Sequence, residues 1–85
     1  MQKSLSVDGF ERSKEDDKLI SQHIDACFST PAGKETLKYL RSITIEMVHG
    51  GGVSDAELRH MEGQRYLVAL IERRIQHSKK VKAND

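Results

Sequence analysis

The sequence predicts an all-α fold: a small three-helix domain with a long C-terminal helix and a flexible N-terminal arm. Three observations predict it. Three segments carry apolar residues at helical spacing. Each follows a hydroxyl residue suited to cap a helix: Ser13, Thr30 and Ser54. Helix-breaking residues, Ser29-Thr30-Pro31 and Gly50-Gly51-Gly52, separate them. A chain of 85 residues makes one domain, and so small a domain has a marginal core.

Residues 1–13 read as a flexible arm. Leu5, Val7 and Phe10 sit among polar residues, and Asp8-Gly9 is a turn signal. The apolar residues at 5 and 7 suit a short strand or loose attachment to the body. The domain proper is placed at 14–78. Its first helix spans 14–28, with Glu15, Asp16 and Asp17 in the first turn, where acids suit the helix dipole. Leu19, Ile20, His23, Ile24 and Cys27 fall on one face and are its candidate core.

The second helix spans 31–48. Thr30 caps it, and Pro31 at its first position needs no N–H partner. Leu37, Leu40, Thr44, Met47 and Val48 line one side. Gly33 in its first turn allows close packing. A glycine of the 50–52 run is expected to close this helix in the left-handed conformation.

The third helix spans 55–77. Ser54 and Glu57 have capping-box spacing. At 1.5 Å per residue it is roughly 35 Å long and should project past the other two. Leu58, Met61, Val68, Ile71 and Ile75 form one stripe, and Gly63, Leu67 and Leu70 form a second beside it. A stripe that wide contacts two neighbours. They are two helices of this chain, or one helix and another chain. Glycine inside a helix costs roughly 0.5–1 kcal/mol relative to alanine, which suggests that something approaches the backbone at Gly63. Arg65, at the stripe's border, suits a contact to a carboxylate or a backbone carbonyl, within the chain or on a partner. Gly63, Arg65, Leu67 and Leu70 are the candidate protein-interaction residues.

Net charge is +1, unevenly spread. Residues 1–28 carry −2 and residues 54–85 carry +2. Residues 79–85 read as a basic, disordered tail. Arg73, Arg74, Lys79, Lys80 and Lys82 form a run without an acid and are the candidate phosphate-binding residues.

Catalysis and cofactors find little support. His23 and Cys27 are four apart, but no C-x-x-C or H-E-x-x-H spacing supports a metal site. No serine lies in a glycine elbow, and no Lys-Ser/Thr follows the triple glycine as a phosphate loop requires. The one cysteine excludes an internal disulfide and suits a reducing compartment. No signal peptide and no apolar run long enough for a membrane span are evident. Four aromatic residues are too few for a base-stacking platform. The acidic start of the third helix, Ser54-Asp55-Ala56-Glu57, argues against a DNA-reading helix.

Two patterns carry a resemblance: Phe28-Ser29-Thr30-Pro31-Ala32-Gly33 followed by Leu37 and Leu40, and Glu62-Gly63-Gln64-Arg65 followed by Leu67, Val68 and Ile71. They resemble a family of small helical tailed-phage proteins, named after a reading frame of a Bordetella podophage and encoded among head, portal and packaging genes. The resemblance covers residues 28–75. It implies a helical virion or morphogenesis protein rather than an enzyme, with no cofactor. Its partners would be phage structural proteins or its own copies, and its location the virion or the host cytoplasm. A nucleic-acid-associated packaging or regulatory factor using the basic residues is the alternative.

Overall fold

The computed structural model describes residues 3–84. Met1, Gln2 and Asp85, at the tips of the expected arm and tail, lie outside the described residues. The elements in order are β1 (Lys3–Leu5), β2 (Glu11–Ser13), α1 (Lys14–Phe28), α2 (Pro31–Ser42) and α3 (Asp55–Asn84). The all-α expectation holds, with three helices and the last one longest. It needs one correction: a β-hairpin stands where the sequence suggested a flexible arm.

The hairpin is antiparallel and pairs Lys3 with Ser13, Ser4 with Arg12 and Leu5 with Glu11. Its turn centres on Asp8-Gly9, and Gly9 has φ 85, where glycine avoids steric strain. The Asp8 carboxylate accepts from the Phe10 N–H at 3.0 Å, from Arg12 Nε at 3.0 Å and Nη2 at 2.8 Å, and from the Ser6 hydroxyl. Arg12 first and Ser6 second hold the Asp8 carboxyl well below the usual carboxylate range. Arg12 is raised in turn, chiefly by Asp8. β2 runs directly into α1, because Ser13 also caps that helix by accepting from the Asp16 N–H at 3.1 Å.

The elbow between α1 and α2 is closed. Thr30 Oγ1 accepts from the Gly33 N–H at 2.9 Å and donates to the Cys27 carbonyl at 3.1 Å. A Cβ on Gly33 would lie 2.2 Å from the Cys27 carbonyl oxygen and 2.7 Å from Phe28 Cα, so only glycine fits.

α2 ends at Ser42, six residues short of the expected end at 48. Two side chains bond back to its last carbonyls: Ser42 Oγ to Tyr39 O and Thr44 Oγ1 to Leu40 O, each at 2.6 Å. Such bonds compete with helix continuation. The residues after it form turns, with the Glu46 N–H donating to Arg41 O at 3.0 Å. Gly50, Gly51 and Gly52 lie beyond this break and none has positive φ, so they do not close the helix.

α3 begins where the Ser54 hydroxyl accepts from the Glu57 N–H at 3.2 Å. It continues to Asn84 and so takes in most of the expected disordered tail. Its neighbours lie along its rear. Contacts rise together along α1 and α3, from Asp17 with Arg74 to Asp25 with Lys82, so these helices run parallel. α2 runs the other way: Thr44 meets Arg65, Arg41 meets Glu72, and Leu37 lies beside Ile75 and Gln76.

The result is a slab of 49 × 32 × 15 Å, little thicker than one helix. Its radius of gyration is 15.3 Å, against about 12 Å for a compact chain of this length. Among the described residues, Val68 is the only buried apolar side chain. The core expected on α1 is not formed. Leu19, His23 and Cys27 are exposed, and Ile20 and Ile24 are half-buried.

Candidate functional site

The rear of α3 is clasped by polar groups. Asp17, Ser21 and Asp25, spaced four apart on α1, face Arg74, His77, Ser78 and Lys82 of α3. Arg74 is 1% exposed. Its guanidinium donates to Asp17 Oδ1, to the Asp17 carbonyl at 3.0 Å and to Ser21 Oγ at 3.0 Å, and reaches Asp8 of the hairpin at 3.2 Å. A buried guanidinium is tolerable only when paired and hydrogen-bonded in this way. It ties the hairpin, α1 and α3 together.

Asp25 closes the far end. It accepts from Ser29 Oγ at 2.7 Å and from Lys82 Nζ at 3.2 Å. The Ser29 hydroxyl first, with Ser78 and Lys82, lowers its pKa despite burial. Ser78 Oγ makes no hydrogen bond of good geometry, but it adds to the polar surroundings of that carboxylate.

Ser21, His77 and Asp17 are the residue types of a hydrolytic triad. Ser21 Oγ lies 2.7 Å from His77 Nδ1, and His77 Nε2 lies 3.9 Å from Asp17. Three facts work against nucleophilic chemistry. Ser21 is wholly buried, Arg74 donates to its oxygen, and 3.9 Å is too long for an orienting hydrogen bond. The trio is part of the clasp. Among the described residues no three His, Cys, Asp or Glu side chains converge as a metal site, and no helix is long and apolar enough to cross a membrane.

The front of α3, up to Leu67, has a different character. Arg65 ties it to the body. Nε donates to Thr44 O at 3.0 Å, Nη2 to Met47 O at 2.8 Å, and Nη1 to Glu62 at 3.0 Å. The two carbonyls lie just past the early end of α2, and the Thr44 carbonyl also accepts from the Met47 N–H at 3.4 Å. Arg65 is therefore engaged within the chain, through the backbone-carbonyl contact that its position suggested.

The other three interaction candidates sit on open surface or at its edge. A Cβ on Gly63 would meet nothing within 4 Å, so no element of this chain approaches it. Leu67 is 61% exposed and Leu70 is half-buried. Leu58, Tyr66, Ile43, Met47 and Val48 add further exposed apolar surface near this end. Residues 56, 60, 63, 67 and 70 alternate by four and three and so share one face of α3. The same series continues to Arg74, where α1 covers it. Since α1 begins three residues before Asp17, it reaches only about one turn forward of Arg74. The covering helix stops and the stripe goes on.

The candidate phosphate-binding residues are not brought together. Arg74 is buried among carboxylates, and Lys82 pairs with Asp25. Arg73, Lys79 and Lys80 are exposed. Arg73 and Lys80 line an open groove of about 550 Å³ with Val7, Glu72, Gln76 and His77. Glu72 is itself held by Arg41 at 2.5 and 2.6 Å, and its carboxylate raises the Arg41 pKa. Sequence reasoning missed the partners of Arg74 altogether. The available signal was the spacing of Asp17, Ser21 and Asp25, which matches the turns of α3 that carry Arg74, His77 and Lys82.

The fold and this surface define a small, flat helical protein with a polar-clasped body and a bare, partly apolar helical arm. Over residues 24–83 the chain matches the Bbp19-like phage proteins, and it belongs to that family. The match takes in α2, α3 and the end of α1, and leaves out the hairpin. No curated protein and no solved structure matches the chain.

Proposed function

We propose that this phage protein is a non-enzymatic virion or assembly protein, acting as a small helical interaction module in head and portal morphogenesis. The observation that carries the reading is the front of α3, which bears Leu67 at 61% exposure and Leu58 at 43% with no helix of the chain over them. Leu67 shares one helix face with Gly63 and Leu70, and apolar surface left open along a helix face suits a contact with a partner. The neighbourhood of head, portal and packaging genes implied by the resemblance sets the process. The protein works in the virion or the host cytoplasm and takes phage structural proteins or its own copies as partners. It needs no cofactor or small-molecule substrate.

Immunodetection of the chain in purified particles and in assembly intermediates tests this, together with particle counts from a phage lacking the gene. The expected result is the chain in at least one assembly species and a lower yield of filled heads in its absence. Normal particle yield, with the chain absent from every assembly species, would sink the reading.

A second reading draws on the groove beside Arg73 and Lys80: a nucleic-acid-associated packaging or regulatory factor. Burial of Arg74 and pairing of Lys82 leave it fewer cations than the sequence offers. DNA binding that falls steeply with salt and is lost when Arg73, Lys79 and Lys80 are neutralised would favour it over the first.

A further inference from the structure

We infer that the bare front of α3 pairs antiparallel with the same segment of a second copy of this chain. The inference rests on the reading of the chain as an interaction module and names the occupant of its face. Area is the first argument. The chain exposes 6338 Å². A folded monomer of its mass exposes roughly 5,100 Å², so about 1,200 Å² is surplus. That surplus is spread over the whole chain, the front of α3 included, and a partner covering part of it on each copy would approach the area that stable dimers bury. A domain with one buried apolar side chain among its described residues is the kind that oligomerisation completes.

Geometry is the second argument. The stripe of Ala56, His60, Gly63, Leu67 and Leu70 has the four-three spacing of a helix-pairing seam. Gly63 at its centre leaves the backbone open to close approach. An antiparallel pair centred there sets Ala56 of one copy against Leu70 of the other, at the point where that copy's α1 begins. The two α1 helices then begin at opposite ends of the paired segment. Each front continues the cover that α1 gives the rear.

Charge is the third. With Gly63 opposite Gly63, residue 55 of one copy is level with residue 71 of the other, which brings Asp55 within one turn of Arg73 along the pair. A parallel pair would instead set Asp55 level with Asp55 and Arg73 level with Arg73, without that match of opposite charges.

The test uses the full chain in two experiments. In sedimentation equilibrium, the expected species is a dimer of the 9.6 kDa chain. Leu67→Glu, at an exposed position that leaves helix content unchanged by circular dichroism, should raise the dimer dissociation constant at least about tenfold. In the second experiment, Gly63→Cys in a Cys27→Ser background should form an intermolecular disulfide under mild oxidation faster than Gln76→Cys in the same background. A strict monomer at high micromolar concentration, a dimer indifferent to Leu67→Glu, or equal cross-linking at 63 and 76 would each overturn the self-pairing. The interaction-module reading is tested separately, by the chain's presence in assembly species.

Discussion

Behind Leu70, the seam of α3 is filled by Arg74, 1% exposed and bonded to Asp17 and Ser21; ahead of it, the same seam carries Leu67 at 61% exposure and Gly63 with nothing near it. The two halves share one helix and one register but have opposite chemistry. On this seam the covered position is the charged Arg74, and the positions ahead of it include the apolar Leu67 and Leu70. A buried charged clasp adds little net stability over apolar packing, but breaking it is expensive. It fixes how α1 and the hairpin sit on α3. Part of the apolar surface that would otherwise fill a core lies on the projecting half, at Leu58, Tyr66 and Leu67.

Removing the clasp should have the largest effect. Arg74→Ala leaves Asp17 without its ion-pair partner and should cost about 3–5 kcal/mol in urea unfolding. A loss under about 1 kcal/mol would mean that the rear is not held by charge at all.

The elbow comes next. Gly33→Ala forces a Cβ against the Cys27 carbonyl and should cost about 1–3 kcal/mol, because backbone has to move. Arg65→Met removes the donors to the Thr44 and Met47 carbonyls. Its cost should be about 1 kcal/mol, since the side chain is partly solvated, and it should fall on the 43–53 connection. Amide exchange confined to that segment would confirm the location.

Acid should loosen the covered half alone. Asp8 and Asp25 both titrate below their ordinary values in the folded chain. The folded state therefore binds fewer protons than the unfolded state between the two pKa values. The stability they contribute is present above an unfolded carboxylate pKa of about 4 and is lost as pH falls through the folded values. Neutralising Asp25 with Asp25→Asn should flatten that acid limb.

The smallest change is also the sharpest contrast. Gly63→Ala meets no atom within 4 Å and replaces a poor helix former, so it should stabilise the monomer by about 0.5–1 kcal/mol. The same substitution at Gly33 has the opposite sign. Two negative signs would mean that Gly63 is approached closely within the chain after all.

The three helix starts were legible because each is local. Ser13, Thr30 and Ser54 accept from N–H groups three residues on, and that spacing is visible in the sequence. The early end of α2 was not, because it depends on Thr44 bonding backwards and on Arg65, 21 residues away, donating to the Thr44 carbonyl. The hairpin escaped because its strands have three residues each, too few to show alternation, and because Arg74 reaches Asp8 across 66 positions. Asp17, Ser21 and Asp25 look like a wet face when the apolar stripe is taken as core. For the same reason Arg74 reads as one more charge in a basic run. The apolar stripe of α3 was read correctly as a pattern; which part of it α1 covers is a tertiary fact.

Amide hydrogen exchange along α3 tests the central claim most directly. With the chain dilute enough to be monomeric, amides of residues 58–66 should exchange about a hundredfold faster than those of residues 70–82, because α1 and the hairpin hold the rear, whereas Arg65 ties the front only to the connection after α2. Equal protection along the whole helix would contradict the account.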